Sequence, residues 1–243
     1  VLTGNDVMIG GFVIGGALPK KVLITARGPS LAAFGVTGAM ANPTMQLFSG
    51  QTVIAANDDW QTNANAAEIG ATGIAPASPL ESALMVTLNP GAYTAIVSGL
   101  GGGTGVGIVE VFERDRPEIP LVNISTRGQV QTGDNVMIGG FIIQGDAPQT
   151  VLITARGPSL TPFGITNALA NPSLQLFSGQ TLIGANDDFG TAPNLAQIQA
   201  TGVAPTDAFE SAILVTLDPG AYTAIVTGVG GVTGVGIVEV FAQ

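Results

Sequence analysis

The chain has 243 residues, of which 46% are apolar and only 10% charged, enough to bury a core in one large domain or two of ordinary size. Its net charge is -10 with seven Lys and Arg in all, which excludes nucleic acid as a partner, because phosphates are neutralised by clustered basic residues. Cys and His are both absent, which removes disulfides, thiolate nucleophiles, imidazole ligands and the Ser-His-Asp triad from consideration.

From the N-terminus, short apolar stretches recur between turn residues. They are Val7–Ile14, Lys21–Ala26, Met45–Phe48, Val53–Ala56, Ala83–Leu88, Tyr93–Val97 and Val106–Phe112. Several alternate with period two and are rich in Val and Ile, so each is predicted to be a strand. Breakers separate them at Gly28-Pro29, Asn42-Pro43, Asn89-Pro90-Gly91 and Gly101-Gly102-Gly103. Only Thr62–Ala71 is predicted as a short helix. The glycine run Gly101–Gly107 lacks the Gly-Lys-Ser/Thr ending of a phosphate loop and precedes a strand, so it is expected to be a hairpin joining Tyr93–Val97 to Val106–Phe112. None of these runs approaches the length of a membrane span.

The same pattern then returns. Val1 to Arg114 matches Val130 to Gln243 without insertion or deletion, at a constant offset of 129 residues that places Arg27 on Arg156, Asp59 on Asp188 and Tyr93 on Tyr222. This period is domain-sized, longer than solenoid units. The predicted fold is all-β: two tandem homologous β-sandwich, jelly-roll-like domains. Residues 1–114 form the first, 115–120 a charged, Pro-containing linker, and 121–243 the second.

The second domain opens with an extra strand, Leu121, Val122, Asn123, Ile124 and Ser125, whose counterpart for the first repeat would precede Val1 and is not contained in the chain. If it completes the second domain, the first has an open sheet edge that must be covered or will pair with another chain. Strand donation between molecules is an established recognition mode, and a head-to-tail contact that does not close builds a filament. Leu121–Ser125 is therefore the candidate polymerisation strand, and copies of the chain the expected partner. The abrupt start at Val1 is equally read as a trimmed or mature form.

Two polar clusters remain. Asn57, Asp58 and Asp59 follow a strand, with Glu81 further on, and Asn186, Asp187, Asp188 and Glu210 repeat the set. Oxygen-rich loops of this kind suit calcium; the alternative is a turn in which the side chains bond their own backbone. Trp60 and Phe189 follow the acidic pairs, placed either to stack on a sugar ring or to anchor the loop. Arg27, ahead of Gly28-Pro29-Ser30, is expected to pair with Glu81 or Glu110. Asp58 and Asp59 are the one carboxylate dyad, but neighbours on an extended chain face opposite ways, which is poor geometry for acid–base work. No enzymatic activity is expected.

The runs Leu-Val-Asn-Ile-Ser-Thr-Arg-Gly (121–128), Arg-Gly-Pro-Ser-Leu (27–31), Ala-Asn-Asp-Asp (56–59) and Pro-Gly-Ala-Tyr-Thr (90–94) resemble repeats of large secreted bacterial proteins. The second half of each repeat is also similar to bacterial pre-peptidase C-terminal domains. The resemblance implies an extracellular or cell-surface setting and a β-sandwich, with calcium bound in some members. The expected function is a filament or surface-fibre subunit built by β-strand pairing. The alternative is a calcium-dependent adhesin module that binds surface glycans.

Overall fold

The computed structural model describes residues Val1–Gln243, and the chain divides into two compact units, Val1–Val122 and Asn123–Gln243. Both are almost wholly β. In the first unit the strands are β1 (Met8–Ile14), β2 (Lys20–Arg27), β3 (Pro43–Ser49), β4 (Thr52–Asn57), β5 (Ser82–Leu88), β6 (Gly91–Gly99) and β7 (Ile108–Glu113), with a single short helix, α1 (Ala66–Ala71). Each predicted strand is present. Period-two burial along β1, with Met8, Phe12 and Ile14 buried and Ile9 and Val13 half-buried, is the pattern that a two-layer core imposes.

The strand ladders are antiparallel, and an isolated parallel bridge joins Ala39 to Val106. Three strands make one sheet in the order β5-β2-β7, and four make the other, β1-β6-β3-β4. Apolar side chains from both sheets fill the space between, among them Phe12, Leu47 and Val97 from one and Val22 and Ile24 from the other. Gly10 shows how closely the layers approach: a Cβ there would lie 2.9 Å from Val109 Cγ1, so β1 can cross β7 only where it has no side chain. Gly139 meets Val238 at the same 2.9 Å in the second unit.

The second unit repeats this plan with one strand more. Its elements are β8 (Leu121–Val130), of which Asn123 onward lies in this unit, β9 (Met137–Ile143), β10 (Gln149–Arg156), β11 (Pro172–Ser178), β12 (Thr181–Asn186), α2 (Leu195–Ala200), β13 (Ser211–Leu217), β14 (Gly220–Gly228) and β15 (Gly234–Ala242). The sheets are β13-β10-β15-β8 and β12-β11-β14-β9. The core cluster between them takes Met137, Phe141, Val151, Leu174, Val226, Val238 and Val240, with Val130 from β8 fully buried.

Three expectations are revised. The strand predicted over Leu121–Ser125 runs on to Val130. The glycine segment after β6 is not a hairpin, because β6 pairs with β1 and β3 while β7 pairs with β2; it carries the chain from one sheet to the other. And residues 115–120 are folded onto the first unit rather than forming a free tether. The wholly buried Lys20 is the reason: its Nζ lies 2.9 Å from Glu113 Oε2 and donates to the carbonyls of Asp115 (3.0 Å), Arg116 (2.8 Å) and Ile119 (2.5 Å). A buried ammonium needs such partners, and the segment turns back to supply them.

Candidate functional site: the open edge of β7

The two repeats differ most where the extra strand lies. In the second unit β15 is an interior strand, paired with β10 on one side and β8 on the other. The β8 register runs from Phe241 opposite Asn123 through Val240 opposite Ile124 and Glu239 opposite Ser125 to Gly234 opposite Val130. In the first unit the equivalent strand, β7, pairs with β2 alone and ends its sheet.

The missing pairing shows in length and burial. β15 begins at Gly234 and has five buried positions, including Val238 (2% exposed) and Val240 (8%). β7 begins only at Ile108, has none, and leaves Val109 and Val111 half-buried and Ile108 43% exposed. Only the first position of the β8 register is filled. Val1 N donates to Gly105 O at 2.8 Å and Gly105 N to Val1 O at 3.1 Å, the place that Val130 takes against Gly234.

Edge strands are ordinarily blunted by charge, proline or a bulge. β7 has no Pro and no Lys, and both of its carboxylates are drawn into its own unit. Glu110 Oε2 accepts from Arg27 Nε and Thr25 Oγ1, each at 2.6 Å, and Glu113 faces Lys20. Arg27 thus pairs with Glu110, and its Nη2 also donates to Ile74 O at 2.9 Å. Arg156 and Glu239 repeat the pair at 2.6 Å.

The acidic loops are organised differently from a cation cage. Glu81 is wholly buried, and its Oε1 accepts from Gly28 N (2.9 Å), Ser30 N (2.9 Å) and Ser30 Oγ (2.7 Å). Glu210 does the same for Gly157 and Ser159. Gly28 is required there, since a Cβ would lie 2.2 Å from Met40 O. The Arg-Gly-Pro-Ser run is therefore a corner pinned by a buried carboxylate, a role that spacing alone did not reveal.

Asn57 bridges backbone, its Oδ1 accepting from Ala83 N (3.0 Å) and its Nδ2 donating to Asp59 O (3.1 Å); Asn186 repeats both contacts. Asp58 Oδ1 accepts from Asp59 N, and Asp187 Oδ1 from Asp188 N, in exposed turns. One buried oxygen in each loop, Oδ1 of Asp59 and of Asp188, has no hydrogen-bond partner. Nowhere do three acidic side chains gather around one point.

Trp60 packs half-buried against Leu23, Ile69, Ala83 and Met85, with its Nε1 donating to Ser78 O at 3.1 Å. Phe189 sits equivalently against Leu152, Ile198 and Ala212. Both rings lie on the outer face of a sheet as loop anchors. No helix is long and apolar enough to cross a membrane.

No family model matches the chain, and no curated protein matches it. Among solved structures, a chain described as "PBCV-1 virus capsid, quasi-atomic model" is similar at 10% identity and a TM-score of 0.25, covering 100% of this chain and 91% of that chain. A likeness this weak carries no argument about function.

Proposed function

We propose that this protein is an extracellular structural subunit of a filament or surface fibre, in which neighbours join head to tail by β-strand pairing. The observation that carries the reading is the open edge of β7, set against its filled counterpart β15. Such an edge offers a row of unpaired N–H and C=O groups, and a strand added there gains main-chain hydrogen bonds and apolar burial together. An acceptor on one unit, filled from a neighbouring subunit, makes a heterologous contact that propagates instead of closing. Electron microscopy of the native material tests this. Regular fibres with an axial repeat accommodating two units are expected; a field of discrete two-unit particles would overturn the reading.

A second reading, a calcium-dependent adhesin module that binds surface glycans, draws on the unpartnered Oδ1 atoms of Asp59 and Asp188. A buried carboxylate oxygen without a donor is costly unless something binds it. Of the expected donor set, Asn57 and Glu81 are already engaged with backbone N–H groups, as are Asn186 and Glu210. A cation there would rest on Asp58, Asp59 and backbone carbonyls in one repeat and on Asp187 and Asp188 in the other.

A further inference from the structure

The outer face of the β5-β2-β7 sheet holds a cleft of about 350 Å³. Lys21 from the start of β2, Met85 from β5, Glu68, Ala71 and Thr72 from α1 and its end, and Arg114 just beyond β7 line it. That volume falls in the range of small-molecule sites, about 300–1,000 Å³. Lys21 Nζ is paired with Glu68 Oε1. Arg114 is exposed and takes part in none of the ion pairs, in a chain with 17 acidic residues against 7 basic. Its backbone N–H donates to Lys21 O at 2.9 Å, which sets the two cationic residues side by side.

The second unit shows that the fold does not need these charges. At the 129-residue offset Lys21, Glu68 and Arg114 become Thr150, Gln197 and Gln243, while Ala71 and Thr72 recur as Ala200 and Thr201. Every charge is gone, yet α2 docks as α1 does: Ile198 is buried with Leu152 and Ala212 as Ile69 is with Leu23 and Ala83. An exposed ion pair adds little to stability in any case. The charges round this cleft therefore answer to something other than packing.

We propose that the cleft binds an acidic sugar, a hexuronate residue, by its carboxylate. A guanidinium presents paired N–H donors that match a carboxylate, and Lys21 adds a second cation beside it. Only Oε1 of Glu68 is engaged, which leaves Oε2 to accept from ring hydroxyls. Met85 and Ala71 offer apolar surface to the C–H face of the ring. A simple carboxylate would use the cations alone and meet Glu68 as a like charge; a neutral hexose would leave Arg114 unpaired. A sugar acid engages all of them. The acidic loops at Asp59 and Asp188 contribute nothing to the cleft, so binding is independent of calcium.

The test titrates the 243-residue chain with D-glucuronate in the presence of a chelator, following backbone amides by NMR. Acetate serves as the carboxylate without the ring, and D-glucose as the ring without the carboxylate. Saturable shifts are expected at Lys21, Glu68 and Arg114, and none at Thr150, Gln197 and Gln243. Arg114→Gln and Lys21→Thr copy residues that the second unit already accommodates, so both variants should fold. Arg114→Gln should weaken glucuronate about tenfold, the loss of a charge-assisted hydrogen-bonding partner, and the double variant should abolish saturation. Glu68→Ala should keep acetate binding and remove the preference for glucuronate. Absent saturable binding would overturn the proposal. Glucose bound as tightly as glucuronate would remove the carboxylate's role, acetate bound as tightly would leave an unspecific anion spot, and equal shifts in the second unit would place binding elsewhere; each of these overturns it too. Fibre formation is read separately by microscopy, so failure here leaves the filament reading standing.

Discussion

Lys20 Nζ lies 2.9 Å from Glu113 Oε2, with the lysine side chain wholly buried and the carboxylate 17% exposed. The pair joins the start of β2 to the end of β7, and the remaining ammonium donors hold the carbonyls of the segment that follows. Removing one partner of a buried pair leaves the other uncompensated, at a cost of about 3–5 kcal/mol. Lys20→Ala should therefore lower the stability of the first unit by that order in urea unfolding. It should also release Asp115–Pro120, so that a Glu-specific protease cleaves after Glu118 far sooner. Lys20→Gln, matching Gln149 of the second repeat, should cost less. Unchanged cleavage in Lys20→Ala would show that the segment is held by something else.

Glu81 offers a second measurement, and it separates structure from metal binding. Its Oε1 accepts three hydrogen bonds from Gly28 and Ser30, and hydrogen bonds to charged groups contribute about 1.5–3 kcal/mol each. Glu81→Ala should destabilise the first unit by about 3 kcal/mol or more, and Ser30→Ala by about 1–2 kcal/mol. If the carboxylate acts as this corner, both losses should be the same with calcium or with a chelator. A loss confined to calcium-containing buffer would instead make Glu81 a cation ligand.

Strands were legible in this sequence because a two-layer core imposes alternation, and Val and Ile mark it locally. The 129-residue offset shows that the second repeat is preceded by a strand, Leu121–Ser125, that residues 1–114 do not repeat. What escaped was set by partners distant in sequence. Gly101–Gly107 has the composition of a hairpin, but the same glycines serve a crossing between sheets, and only β7's pairing with β2 distinguishes them. Glu81 looked like a loop carboxylate, yet it is buried beneath residues 51 and 53 positions away along the chain. Lys20 carries no signal of its own in the sequence, since its partners are mostly carbonyls, which every sequence contains. Arg27 was readable in part: scarcity of basic residues implied an ion pair, and the structure chose Glu110 over Glu81.

Calcium can be tested directly in the two loops. A ligand bound only by the folded state raises Tm, and extracellular calcium modules bind in the range of about 10⁻⁴–10⁻³ M. On the adhesin reading, millimolar calcium should raise Tm and a chelator should reverse the rise. Asp59→Asn combined with Asp188→Asn should abolish the response. Melting curves that coincide with and without calcium would leave the two Oδ1 atoms as unmet acceptors and remove that reading.

The last prediction concerns unequal stability of two nearly identical units. Val111 and Val240 occupy equivalent positions, but Val240 is covered by β8 and Val111 has no strand beyond it; Val109 and Val238 differ likewise. Fully burying a Val side chain is worth roughly 1.5–3 kcal/mol, and here two of them are only partly covered. The first unit should therefore unfold before the second, giving two transitions separated by about 1–2 kcal/mol in stability. Hydrogen exchange should show the same asymmetry locally. Amides of β7 that point away from β2 have no acceptor strand and should exchange early, while those of β15 should be protected on both sides. Equal protection of β7 and β15 would mean that the edge is already satisfied, and the filament reading would lose its acceptor.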